Sequence, residues 1–122
     1  DTLFALTRFE AAGSVRVANF TPGAGGWTTQ DRVPRQMADV NGDGLADIVG
    51  FGQGGTLVSL GQANGTFATP TLAIANFGVD QGWSSANIFH RELADVNGDG
   101  RADIVGFGQN GVFAAIAFDG QV

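Results

Sequence analysis

The chain has 122 residues, of which 43% are hydrophobic, enough for one small globular domain. Its formal net charge of −6 argues against a nucleic-acid partner, because a phosphate backbone would be repelled. No apolar run approaches the roughly 20 residues of a membrane-spanning helix, so we expect no membrane insertion. The absence of Cys excludes disulfides and thiolate metal sites.

Twenty glycines separate short runs rich in Ile, Val and Phe, a pattern that predicts tight turns and β-strands rather than helices. Residues 1–20 are predicted to form a partial repeat with strands Thr2–Leu6 and Ser14–Phe20. In residues 21–77 the predicted strands are Arg35–Val40, Asp47–Gly52, Thr56–Leu60 and Thr71–Phe77. In residues 78–122 they are Arg91–Val96, Asp103–Gly108 and Val112–Phe118, with no fourth strand.

An internal repeat dominates the sequence. Residues 38–55 read ADVNGDGLADIVGFGQGG and residues 94–111 read ADVNGDGRADIVGFGQNG, so 16 of 18 positions match at a spacing of 56. The likeness extends upstream to the Gly-Trp pairs that end at Trp27 and Trp83 and to the Ala-Asn-Phe triplets that end at Phe20 and Phe77. Repeats of four antiparallel strands are typical of β-propellers, so the fold class is predicted as all-β, with about two blades in the chain.

Half of the twelve acidic residues fall in two nine-residue windows that match between the repeats. Side-chain oxygens stand at positions 1, 3, 5 and 9 of each window, a backbone carbonyl is available at position 7, and glycine stands at position 6, where a calcium loop turns sharply. This spacing predicts two bound Ca²⁺ ions per chain. The predicted ligands are Asp39, Asn41, Asp43, Leu45 and Asp47 in the first loop, and Asp95, Asn97, Asp99, Arg101 and Asp103 in the second.

The loops are not EF-hands, because position 12 is Gly50 or Gly106 and a strand-like run follows instead of a helix. The alternative is that Asn-Gly and Asp-Gly simply form hairpin turns. A plain turn does not need three further carboxylates, whose mutual repulsion would be destabilising without a cation. We therefore expect a structural calcium ion that holds each hairpin.

The run Asp-Val-Asn-Gly-Asp-Gly-x-Ala-Asp-Ile-Val-Gly-Phe-Gly resembles the FG-GAP repeats of integrin α-subunit propellers and of many secreted proteins. With the Ala-Asn-Phe, Gly-Trp and Asn-Gly-Thr-Phe motifs, nearly the whole chain is similar to the Psathyrella velutina lectin family. The resemblance implies a propeller that binds calcium in these loops and binds sugars such as N-acetylglucosamine between neighbouring blades. It also implies an extracellular location, any leader segment having been removed. Family members carry more blades in one chain.

Each Gly-Trp loop offers an aromatic face on which a sugar could stack. The alternative is that each Trp is buried as core between blades, which composition alone favours. Similarly, Arg35 and Arg91 could clasp a ligand or could pair with acids such as Asp31 and Glu92. With the resemblance, the residues proposed to contact a sugar are Trp27, Arg35, Asn76, Asp80, Trp83, His90 and Arg91.

Two functions remain open on this basis, a multivalent lectin and a calcium-binding scaffold of the integrin type without a sugar site. An enzyme is not expected, because the chain has one His and no convincing nucleophile motif. Propellers close with about 4–8 blades, so two repeats predict a homo-oligomeric ring, with a trimer favoured. In that ring, Ser14–Phe20 of one copy would supply the strand that the second repeat of its neighbour lacks.

Overall fold

A computed structural model describes residue 9 and residues 13–118. These residues form two antiparallel sheets, and the prediction of an all-β fold built from propeller blades is confirmed. The first sheet has the order β1-β2-β3-β4, with the strands Arg35–Ala38, Asp47–Phe51, Thr56–Ser59 and Thr71–Ile74. The second has the order β5-β6-β7, with the strands Arg91–Ala94, Asp103–Phe107 and Val112–Ala115.

The strands end one to three residues earlier than predicted, and the first strand of each sheet shows why. Val40 was predicted to continue β1, but its N–H donates to the side chain of Asp47 at 2.9 Å and not to a neighbouring strand. Val96 does the same with Asp103 at 2.9 Å. The acidic loop therefore begins inside the predicted strand. A short 3₁₀ helix, Val79–Gln81, was not predicted.

The prediction of a strand over Ser14–Phe20 is wrong for the chain as described, because these residues form only bends and irregular backbone. A strand requires a hydrogen-bonded neighbour, and none of the seven described strands pairs with this segment. The predicted strand Thr2–Leu6 lies outside the described residues.

Two apolar clusters hold the structure together. One lies between the sheets, where Val49 and Phe51 of β2 pack with Phe77 and Trp83. The other covers the opposite face of the first sheet with Phe20, Trp27 and Val33, against Ile48 and Leu57. Alternate residues of β2 thus face different clusters, as the two-residue period of a strand requires. None of the described helical segments is long and apolar enough to cross a membrane.

The two sheets meet at a joint in which polar bonds supplement the apolar cluster. The side chain of Gln36 in β1 donates to the carbonyl of Arg91 in β5 at 2.6 Å. Beside it, the N–H of Ala102 donates to the carbonyl of Asp39 at 2.8 Å. The 3₁₀ helix caps the turn between β2 and β3, where the N–H of Val79 donates to Gly52. These bonds fix how one repeat sits on the next.

Asp31 is a further clamp at this joint. Its Oδ1 accepts hydrogen bonds from the Asn87 N–H and the Ser85 hydroxyl, both at 2.8 Å. These bonds favour the ionised carboxylate, so they lower the pKa of Asp31 below its ordinary value of 3.8, and the nearby charge of Arg91 lowers it further. The stability that Asp31 contributes is therefore present above that ordinary pKa and is lost as the pH falls through the lowered one.

We expect Asp31→Asn to be less stable than the wild type at neutral pH, with a difference that shrinks in acid as the wild-type carboxylate becomes protonated. Urea unfolding at pH 7 and at about pH 3 measures both differences. Asp43→Asn, which changes an exposed aspartate outside the joint, controls for the loss of one charge. A stability difference that is equal at the two pH values would contradict the clamp.

Candidate functional site

The acidic loop of the first repeat connects β1 to β2 and is organised by Asp39. The two oxygens of its carboxylate accept the N–H groups of Gly42 and Gly44, each at 2.8 Å. Both glycines have positive φ, 81° and 85°, which a side chain would disfavour. The Gly44 bond is the main cause that lowers the pKa of Asp39, so this carboxylate is ionised at neutral pH.

Asp47, at position 9 of the loop, has a different environment because it is completely buried. One oxygen accepts the Val40 N–H at 2.9 Å, and the other accepts the N–H of Gly61, beyond the end of β3, at 2.7 Å. The carboxylate therefore ties three segments together, namely the loop, β2 and the chain that follows β3.

The second loop repeats this geometry closely. Asp95 accepts the N–H groups of Gly98 and Gly100 at 2.8 Å, and buried Asp103 accepts those of Val96 and Ala117 at 2.9 and 2.7 Å. The repeats differ at position 7, where Arg101 replaces Leu45.

Arg101 was singled out only for its backbone carbonyl, but its side chain also takes part in the second loop. Its Nη2 pairs with Asp99 at 3.2 Å. The pKa of Asp99 is lowered mainly by the hydrogen bond from the Arg101 N–H, with a further contribution from this pair. The side chain of Arg101 also passes close to Gly42, so that it lies against the first acidic loop. An arginine thus stands between the two acidic loops.

The donor set suits Ca²⁺ in its chemistry but not in its present arrangement. Carboxylate and amide oxygens are hard ligands, and the side chains of Asn41 and Asp43 are exposed in the loop. However, the described residues contain no group of three or more His, Cys, Asp or Glu side chains placed to hold a metal ion. Both oxygens of Asp39 and of Asp47 already accept backbone N–H groups. Calcium in these loops stays a prediction from their spacing.

Of the two alternatives for the tryptophans, the structure shows the buried one. Only 3% of Trp27 and 8% of Trp83 are exposed. Trp27 packs on Phe20 with ring centroids 5.1 Å apart, and its indole N–H donates to the side chain of Asn19 at 2.9 Å. Trp83 packs on Phe77 at the same 5.1 Å. Their ring faces are engaged in the core, so stacking of a sugar on them would require the core to open.

Arg91 is buried as well, with 1% exposure, so it is not placed to clasp a ligand. Its Nη1 donates to the Phe77 carbonyl at 2.8 Å, and the guanidinium lies 5.5 Å from the Phe51 ring and 5.9 Å from the Trp83 ring. Burial lowers its pKa, an effect that the charge of Asp31 opposes. Among the described residues its Nη2 has no hydrogen-bond partner. Cation–π contacts with the two rings compensate for part of that loss.

The remaining predicted sugar residues are dispersed. Arg35 donates to the Phe20 carbonyl at 2.7 Å, as Arg91 does in the second repeat. Asn76 accepts the Phe77 N–H at 2.7 Å, and Asp80 accepts the side chain of Gln53 at 2.6 Å. His90 is exposed, pairs with Glu92 at 2.8 Å and stacks on Phe107. The seven residues therefore do not converge on one pocket.

A cavity of about 370 Å³ lies at the Gly-Trp loop of the first repeat. Its wall includes Trp27, one of the predicted residues, and the glycine-rich turn between β2 and β3. Its polar side chains are Asn19, Arg32 and Gln53, and Arg32 donates to Gln53 at 3.0 Å. Sequence reasoning missed these three, although Asn19 aligns with Asn76 and could have been found from the repeat.

A larger cavity of about 590 Å³ lies between the two sheets and has a mostly apolar wall that includes Val49, Val58, Leu93 and Ile104. It contains none of the predicted sugar residues. Ligand sites combine apolar walls with a few placed polar groups, a description that the smaller cavity fits better.

Comparison with known proteins places these features in a family. Residues 39–106 match the FG-GAP-like repeat family. A solved structure described as "Structural basis of specific recognition of non-reducing terminal N-acetylglucosamine by an Agrocybe aegerita lection" is 44% identical in sequence, with a TM-score of 0.80. The match covers 85% of this chain and 25% of that one, so the chain spans about a quarter of its length. No curated protein sequence matches.

The buried carboxylate of Asp47 generates a prediction that does not depend on metal. We expect Asp47→Ala to lower the free energy of unfolding by about 3 kcal/mol, because two buried N–H groups lose a charged acceptor. Urea unfolding in the presence of EDTA measures this loss. Asp43→Ala serves as the matched control and should change stability by less than about 1 kcal/mol, since Asp43 is exposed. Equal effects of the two changes would contradict the clamping role of Asp47.

Proposed function

Because the chain belongs to the FG-GAP-like repeat family, we propose that it is a carbohydrate-binding protein of the lectin type, without enzymatic activity. The observation that carries this proposal is the 44% identity over 85% of the chain to the Agrocybe aegerita lectin. That lectin specifically recognises non-reducing terminal N-acetylglucosamine. A terminal N-acetylglucosamine, or a glycan related to it, is therefore the ligand that we propose here.

The smaller cavity is the site that the side chains support best. Its volume of about 370 Å³ lies within the range of small-ligand pockets, about 300–1,000 Å³. Leu57, Leu72 and the edge of Trp27 supply apolar wall, while Arg32 and Gln53 supply exposed donors and acceptors at the rim. A sugar presents the same combination, with an apolar ring face and a rim of hydroxyl groups.

In this proposal Trp27 forms part of the cavity wall, and the sugar does not stack on its ring faces. Trp27 is fixed by its bond to Asn19 and by the Phe20 ring, so it forms a rigid wall that costs no side-chain entropy on binding. The adjoining glycines at positions 52, 54 and 55 also line the cavity, and their lack of side chains lets a ligand approach the backbone closely.

We also propose that the acidic loops bind calcium and that the protein acts outside the cell. The support for calcium is the duplicated spacing of hard oxygen donors. Because the carboxylates do not converge as described, binding requires side chains of the loop to reorient. The support for an extracellular location is the lectin-type function itself, since terminal sugars of glycans are displayed on cell surfaces.

Sugar binding is tested by titrating N-acetylglucosamine and following tryptophan fluorescence, because Trp27 lines the cavity. We expect Arg32→Ala and Gln53→Ala each to weaken binding about tenfold, the equivalent of one hydrogen bond. Both side chains are exposed, so the fold should be unaffected. Gln62→Ala, an exposed glutamine outside the cavity, is the matched control and should keep full affinity.

Full affinity in the Arg32 and Gln53 variants would show that the sugar binds at another site. If a glycan array with the wild type shows no binding at all, the lectin proposal fails. The protein-binding scaffold then becomes the better description.

Calcium is tested separately by isothermal titration calorimetry. We expect two sites per chain in the wild type and one in each of the variants Asp43→Ala and Asp99→Ala. The melting temperature should rise with calcium concentration, because the ion binds only the folded loops. An absence of calcium uptake by the wild type would mean that the loops are held by their backbone N–H bonds alone.

A further inference from the structure

The outer face of the second sheet is exposed where the same face of the first sheet is buried. Phe51 and Thr56 of the first sheet are 0% exposed, whereas their counterparts Phe107 and Val112 are 43% and 62% exposed. The neighbouring sequence is nearly identical, so the difference comes from what covers each sheet. The second sheet covers the first, and nothing in residues 13–118 covers the second.

The opposite end of the molecule carries the complementary surface. In the internal joint, Arg91 inserts against Phe51 while bonding to the Phe77 carbonyl. Arg35 makes the same bond to the Phe20 carbonyl, at 2.7 Å against 2.8 Å. It is thus held in the same way at the open face of the first sheet, where it is half-buried. The molecule therefore exposes the Phe107 face at one end and Arg35 at the other. Their counterparts, Phe51 and Arg91, pack together in the internal joint.

The outer strand edges of the two sheets also differ. β3 is paired on its outer side by β4, but β7 has no such partner among the described strands. Residues 14–17 align with β4 at a spacing of 57, yet they form no strand. In the first sheet Leu57 lies opposite Leu72, a register that would place Phe113 opposite Val15. Both are largely exposed, at 54% and 83%.

We propose that a second copy of this chain docks head to tail on the first through these surfaces. Phe107 of one copy packs against Arg35 of the next, as Phe51 packs against Arg91 within the chain. Residues 14–17 of the next copy add the missing fourth strand along β7. A joint of this kind is heterologous, so it closes into a ring when the rotation permits and otherwise forms an open array.

Some polar positions of the internal joint are matched at a joint between copies and others are not. Asn87 stands where Asp31 stands in the internal joint, and its amide oxygen can accept the same two bonds, from the Thr29 hydroxyl and the Asp31 N–H. Glu92, in contrast, replaces Gln36 and cannot donate the bond that Gln36 gives to a backbone carbonyl. In addition, Pro22 stands where Val79 stands in the second repeat, and a proline has no N–H to donate to the carbonyl that Gly52 offers in the internal joint. The joint between copies therefore has fewer hydrogen bonds than the joint within the chain, so dilution should separate the copies before it unfolds them.

Sedimentation velocity on the full chain measures the assembly. We expect the wild type to have a mass of at least twice 12.5 kDa, the mass of one chain. Phe107→Asp should be monomeric, with an unchanged circular dichroism spectrum. Ile88→Asp is the matched control. Ile88 is 69% exposed, and its counterpart Arg32 bonds within its own repeat and not across the joint. This variant should keep the wild-type mass. A monomeric wild type, or a Phe107→Asp variant that still assembles, overturns the proposal.

A second experiment covers the case in which Phe107→Asp does not fold. Because the chain has no Cys, a variant with both Val15→Cys and Phe113→Cys carries only those two thiols. Residues directly opposite on adjacent antiparallel strands are close enough for a disulfide. After oxidation we expect the double variant to give species larger than a dimer on a non-reducing gel.

An equimolar mixture of the two single variants should stop at the dimer, and each single variant alone should remain monomeric. Monomer alone in the oxidised double variant overturns the proposed strand pairing. Dimers formed by one single variant on its own overturn the head-to-tail arrangement.

Discussion

The packing of an indole ring directly on a glycine is the contact on which each repeat depends. A Cβ at Gly50 would lie 2.5 Å from Cη2 of Trp27, and one at Gly106 would lie 2.7 Å from Cη2 of Trp83. No other residue leaves room for the ring. The glycine between Val and Phe in the Val-Gly-Phe-Gly run is thereby explained. It lets a loop that precedes a sheet pack onto the second strand of that sheet.

The phenylalanine that packs on each tryptophan ring has an unusual backbone conformation. Phe20 and Phe77 have φ values of 64° and 62°, in the left-handed region. Such a conformation costs on the order of 1–3 kcal/mol. Here the Asn side chain before each Phe accepts its N–H, and an arginine donates to its carbonyl. The aromatic pair, the asparagine and the arginine therefore form one unit that offsets the strain.

The sequence predicted well the strands and the two hairpins that the acidic loops connect, because hairpins depend on neighbouring residues and the repeat displayed their pattern twice. It did not predict the cavity, since Arg32 and Gln53 are 21 positions apart and meet only after folding. The strand predicted for residues 14–20 was missing for a related reason, namely that pairing needs a partner. The role of the tryptophans stayed open because an aromatic residue on a glycine-rich loop suits a ligand and a core equally well.

The joint between the two sheets also has a consequence for how such chains change length. Its main contact, Arg91 on Phe51, joins positions that recur every 56 residues. Each repeat therefore carries both an arginine that inserts and a phenylalanine that receives it. A duplication or deletion of one whole repeat in the gene would leave every remaining joint chemically intact. In arrays of this kind, stability is approximately a sum over units and nearest-neighbour joints. Recombination between near-identical gene segments can therefore change the number of blades while the protein encoded at each step still folds.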